Sequence, residues 1–146
     1  MKLRTIDVPQ ADSLALVRRL LEVISQSKST AVKELAARSG FSERHVRYRT
    51  QAARILGFLS NADGIEVSLR GHRLLATEAG SPAEKSQLRQ AVARCAAVQL
   101  IAPDLLSSPS RRCQGARQKI TAVSGLSEAT AERRAVVLRS WHRDLA

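Results

Sequence analysis

Ser39-Gly40-Phe41-Ser42-Glu43 returns, nearly unchanged, as Ser124-Gly125-Leu126-Ser127-Glu128, 85 residues further along the chain. In both copies an apolar helical pattern precedes the stretch and an arginine-bearing one follows it. A glycine between two helices permits the left-handed backbone that ends the first. A serine just before the second offers its hydroxyl to a free amide of the new helix. The repeat therefore predicts a helix, a tight turn and a second helix, twice in one chain.

Working outward from the first copy, Leu14, Val17, Leu20, Leu21 and Ile24 recur at helical spacing and predict an amphipathic helix ending near Gln26, with Arg18, Arg19 and Glu22 outward. Thr30 is the expected cap of a helix running to about Arg38, with Val32, Leu35 and Ala36 inward. Ser42 caps the next, in which Val46, Thr50, Ala53 and Leu56 form the buried stripe and Gly57 is the stop. Asn61 to Gly64 is turn chemistry between Phe58-Leu59 and the alternating stretch Ile65 to Leu69, which together predict a β-hairpin. Gly71 to Thr77 reads as a short helix.

Ser81-Pro82-Ala83-Glu84 is a capping box with proline at the first helical position, and it predicts a helix to Ile101. Residues 103 to 112 read as a linker ending in Arg111-Arg112. The second copy then predicts a helix from Ala116 to Val123, a turn, and a final helix to about Leu145. The expected division is 1–80, 81–112 and 113–146.

Residues 12–77 resemble a bacterial winged helix-turn-helix domain of the broad MarR or ArsR kind, on Val32, Leu35, Ala36, Gly40, Phe41, Ser42, Val46, Leu56 and Gly57 followed by the predicted hairpin as wing. The resemblance covers slightly under half the chain and implies DNA binding. The fold expected is mainly α: a winged helix-turn-helix with a short β-hairpin wing, a linking helix, and a C-terminal helix-turn-helix with no room for a wing after Trp141. The run from Gly125 to Arg134 also resembles terminal segments of some restriction and phage-defence proteins, over about twenty residues.

The charge agrees with a polyanionic partner. The 146 residues carry 24 Lys and Arg against 13 Asp and Glu, a formal +11, and arginine greatly outnumbers lysine. Arginine's planar fork of donors matches phosphates and guanine edges. In the helix after Ser42, the face opposite Val46, Thr50 and Ala53 carries Arg44, Arg47, Tyr48 and Gln51, the expected groove contacts. Arg49 and Arg54 on its flanks suit phosphates, as do Arg70, His72 and Arg73 after the wing strand. In the second copy Arg49 aligns with Arg134, Arg54 with Arg139, Ala53 with Leu138 and Leu56 with Trp141. Thr130, Arg133, Arg134 and Arg139 are its expected DNA contacts, and Trp141 is a core or interface anchor.

Other classes fit less well. There is no phosphate-binding glycine loop, His-Glu-x-x-His or nucleophile elbow, and Asp7, Asp12, Asp63, Asp104 and Asp144 do not cluster, so an enzyme is not expected. Cys95 and Cys113 have no zinc or disulfide spacing, and no cofactor is implied. With 3% aromatics, the stacking surface of a single-stranded RNA binder is lacking. No segment is apolar enough for a bilayer, and no signal peptide is expected. The expectation is a cytoplasmic, nucleoid-associated protein that binds double-stranded DNA in a sequence-specific way as a transcriptional regulator. A homodimer through 12–26 and 81–101 is one expected assembly. The alternative is a DNA-targeting or adaptor subunit of a defence, restriction or mobile-element complex, whose C-terminal unit contacts protein.

Overall fold

The repeated stretches do end and start helices. The computed structural model describes residues 3–4, 7–28, 30–60, 65–103, 105–106 and 116–145. Among them the chain forms α1 (Leu14–Gln26), α2 (Val32–Ser39), α3 (Glu43–Ile55), α4 (Leu69–Leu75), α5 (Pro82–Arg94), α6 (Ala96–Ile101), α7 (Ala116–Ser124) and α8 (Glu128–Leu145). The protein is mainly α, as composition predicts. The Asn61 to Gly64 turn, most of the linker with Arg111-Arg112, and Cys113 lie outside the described residues. No described helix is long and apolar enough to cross a membrane.

α1 is the hub of the N-terminal half. Its amide at Leu16 donates to Ser13 Oγ, and Leu14, Val17, Leu20, Leu21, Val23 and Ile24 are buried against α2, α3 and α4. The apolar face of α1 is therefore used inside the molecule. Arg18 is also buried, against expectation. Its guanidinium donates to Glu84 Oε2 at 2.7 Å, Glu22 Oε1 at 3.0 Å, Thr77 O at 2.6 Å and Thr77 Oγ1 at 3.1 Å. Bonds of this kind from all three guanidinium nitrogens let a cation sit inside, and they tie α1 to the start of α5.

α2 begins at Ala31 with no side-chain cap, so the role expected of Thr30 is not taken up. The hairpin wing is not formed as two strands among the described residues. Leu59 and Val67 make an isolated antiparallel bridge, flanked by bonds from Ser60 N to Glu66 O at 2.8 Å and from Ser68 N to Phe58 O at 2.9 Å. The reason lies in Ser68, whose hydroxyl accepts from Gly71 N at 3.1 Å. That cap turns Leu69 into helix, so the predicted second strand ends two residues early. Gly71 carries the close packing: a Cβ there would lie 2.3 Å from the carbonyl oxygen of Phe58.

Ser81 caps α5 as expected, with Pro82 at its first position, but Glu84 answers the amide of Gly80 and not that of Ser81, which donates to Glu78 O. Ser81 Oγ accepts from Glu84 N at 3.1 Å, and Glu84 Oε1 reaches back to Gly80 N at 3.0 Å. The single helix expected to Ile101 is instead two. Cys95 adopts an extended backbone (φ −68°, ψ 132°), closing α5 and opening α6. In one straight helix Ala97 and Ile101 would project roughly opposite Leu88 and Val92. The break turns all four into the core.

α7 and α8 pack on each other and on the arm that precedes α1. Trp141 is fully buried and donates through Nε1 to Ala11 O at 2.8 Å. Ser140 Oγ donates to Asp12 O at 2.8 Å, and Leu3 N donates to Val123 O at 2.7 Å. The arm is thus enclosed, with Leu3, Val8 and Ala11 buried. One hydrophobic cluster runs from Leu3 to Leu145 through all three expected segments.

Candidate nucleic-acid interface

The two copies of the turn share their glycine conformation and three backbone-amide hydrogen bonds. Gly40 and Gly125 take left-handed backbones (φ 78° and 71°), and each amide donates to the residue four back, Ala36 and Thr121, at 3.0 Å. Phe41 N donates to Ser39 Oγ at 3.1 Å, as Leu126 N does to Ser124 Oγ at 3.3 Å. Ser42 Oγ accepts from His45 N at 3.1 Å, as Ser127 Oγ does from Thr130 N at 3.3 Å. The repeated residues therefore mark a repeated structure, with the same register of 85 throughout.

The outer faces of the two following helices differ. On α3, Val46, Thr50 and Ala53 are buried as predicted, and so is Ala52. Arg44, Arg47 and Arg54 are exposed along one arc with Glu43. Arg47 approaches Glu43 at 3.9 Å with both side chains about half exposed or more, a pair too solvated to hold the arginine. Arg44 Nε donates to Tyr48 Oη at 2.9 Å, and its guanidinium lies 5.3 Å from the Tyr48 ring centre. His45 is exposed in the first turn, beside these arginines. It was not anticipated from the sequence, although its place next to Arg44 in a serine-capped turn was the available signal.

Other expected contacts point elsewhere. Gln51 is half-buried, and its Nε2 lies 3.4 Å from Val8 O. The reason is the arm, whose Val8 carbonyl lies against this part of α3. Arg49 is half-buried with its guanidinium 4.2 Å from the Phe41 ring centre, and burial lowers its pKa. Arg70, His72 and Arg73 lie on α4 and not after a wing strand. His72 and Arg73 are exposed, while Arg70 is half-buried with a guanidinium nitrogen against Gly57.

On α8 the expected contacts are engaged within the protein. Arg134 is buried and donates to Val8 O at 2.7 Å, so it is a structural residue and not a groove contact. Desolvation lowers its pKa. Arg139 pairs with Glu132 at 2.7 Å, and Thr130 Oγ1 accepts from Arg133 at 3.1 Å. Register 85 puts Ala129 where the first unit has Arg44, Glu132 where it has Arg47, and Val136 where it has Gln51. All three are exposed. The scaffold of the second unit repeats the first, but its outer face has Ala129 and Glu132 in place of Arg44 and Arg47, while Arg139 stands in place of Arg54 and Arg133 in place of Tyr48.

Among the described residues no group of three His, Cys, Asp or Glu side chains gathers as metal ligands. Cys95 is buried, and burial raises its thiol pKa. Compared with family models, curated proteins and solved structures, the chain matches none.

Proposed function

We propose that the chain binds double-stranded DNA in a sequence-specific way through α3, as a transcriptional regulator working at the nucleoid in the cytoplasm. One observation carries this reading. In the first two turns of α3 Arg44 and Arg47 are exposed, while the opposite face is anchored by Val46, Thr50 and Ala53. That is the disposition a helix-turn-helix needs: a rigid inner face and a cationic N-terminal outer face presented to the major groove.

In this reading Arg44 and Arg47 contact base edges, and guanine is the natural partner of a guanidinium fork. Tyr48 braces Arg44 through its hydroxyl. Arg54, one arc further along, neutralises a phosphate. The net charge of +11 supplies long-range attraction to the duplex.

The test is selection of bound duplexes from a random pool, followed by affinity measurement across salt concentrations. A consensus site and a steep fall in affinity with salt are expected. Binding that is absent at every salt concentration would overturn the proposal.

A second reading is a DNA-targeting or adaptor subunit of a defence, restriction or mobile-element complex. It is favoured by Glu132 and Val136 at the outer positions of α8, since acid and apolar groups there suit a protein partner better than a phosphate. Gel filtration followed by duplex selection separates the two. A dimer that chooses a palindrome supports the regulator. A monomer that binds weakly and without preference supports the subunit.

A further inference from the structure

We infer that the cleft between α3 and α8 is a binding site for an oxyanion, a carboxylate or phosphate group held between Arg49 and Arg133. The cleft encloses about 260 Å³ and is lined by Asp12, His45, Tyr48, Arg49, Arg133 and Val136, among others. It exists because the two pseudo-repeated helices face each other across the arm, bringing together residues 84 apart in the chain.

The charge in this cleft is unbalanced. Arg49 is half-buried, stacked on Phe41, and among the described residues its side chain makes no hydrogen bond and no ion pair. Its guanidinium holds five N–H donors in a planar fork, and none of its nitrogens is a buried atom without a partner, so they are open to an anion that enters the cleft. Asp12 acts on it electrostatically without pairing with it among the described residues. Burial accordingly lowers the pKa of Arg49, and Asp12 offsets this in part. On the facing wall Arg133 is exposed and donates one hydrogen bond, to Thr130 Oγ1 at 3.1 Å. His45 adds a third donor. Two arginines and a histidine face one carboxylate, and an oxyanion would answer the surplus with bidentate, charge-assisted bonds.

Tyr48 connects the cleft to the DNA-facing arc. It lines the cleft, and its hydroxyl accepts from Arg44 Nε at 2.9 Å. An oxyanion beside Tyr48 therefore acts on the brace of Arg44. Two sources offer the same chemistry, a free small anion and a phosphate of the duplex itself. The second rests on the DNA-binding reading; the first does not.

The experiment titrates inorganic phosphate into the full chain at constant ionic strength, by calorimetry, with Arg49→Met and Arg133→Met beside the parent. Methionine keeps an apolar stem, and circular dichroism checks that each variant folds. A free-anion site gives saturable phosphate binding weakened at least tenfold in both variants. A site for duplex phosphate gives no phosphate binding, but each variant lowers the salt slope of duplex binding by about 1. Duplex affinity and slope unchanged in both variants, with no phosphate binding, would overturn the site while leaving DNA binding by α3 intact. Phosphate binding without any duplex binding would overturn the function proposed above and leave the site standing. If a variant fails to fold, Arg49→Lys and Arg133→Lys repeat the comparison. They keep the charge and lose the fork, so at least a several-fold weakening is expected, and unaltered phosphate and duplex binding would count against the site.

Discussion

Arg47 is the residue whose removal separates reading from mere attraction. It is exposed, held only by a solvated contact with Glu43, and set in the second turn of α3. Arg47→Ala is expected to relax base preference at one position of the selected site by about 1–3 kcal/mol. Competition binding with singly altered duplexes measures this, and an equal loss on every sequence would make Arg47 a phosphate contact. Cys95 gives the opposite kind of expectation, since it is buried and its thiol pKa is raised by that burial. Native protein should leave Cys95 unlabelled by a thiol reagent, read by mass spectrometry, and urea should expose it. The sign with pH follows. The unfolded thiol ionises near pH 8.5 and the folded one higher, so this contribution to stability is intact below about pH 8.5 and declines as pH rises beyond it. Urea midpoints at neutral and alkaline pH measure that decline.

At the scale of elements, the serine-glycine turn is the unit of construction. Ser42 and Ser127 each accept from the amide three residues on, and both open helices whose inner faces are buried. Ser42→Ala and Ser127→Ala are each expected to cost about 1 kcal/mol by removing a cap, measured by chemical denaturation. The two should differ in function. Loss of the Ser42 cap loosens the first turn of α3, where Arg44 stands, and duplex affinity should fall with it. Loss of the Ser127 cap should leave duplex affinity near that of the parent. Alternation and periodicity predict the wing and the long linking helix, and they report which residues are apolar and not where a chain bends. Ser68 as a cap and Cys95 as a break are local decisions made by packing, and neither has a pattern that periodicity detects.

On the scale of the whole molecule, the arm from Leu3 to Ser13 joins the halves. Val8 O accepts from Gln51 of α3 and from Arg134 of α8, and Ala11 O accepts from Trp141. Two units that share a strap and a core should unfold together. The fluorescence of Trp141, the one tryptophan of the chain, reports the C-terminal half, and far-ultraviolet dichroism reports every helix. Coincident urea transitions are expected; a tryptophan transition well before the helical one would show independent halves. Arg18 is the second tie. With Arg18→Ala the Glu84 carboxylate, 14% exposed, loses its cation, and a loss of about 3 kcal/mol is expected in the same urea experiment.

The sequence by itself determined most of the helices, the caps at Ser42, Ser81 and Ser127, the paired glycine turns and the buried stripe of α3, because spacing and capping act over three or four residues and are written in neighbouring letters. It also determined that Leu138 and Trp141 would be inner residues, since register with the first copy carries them there. Only the tertiary structure decided which arginines face outward. Arg18 and Arg134 read like any surface cation, yet both are buried because carboxylates or carbonyls from distant segments meet their donors. A charge is outside or inside according to what stands opposite it, and the groups opposite these two lie 66 and 126 residues away.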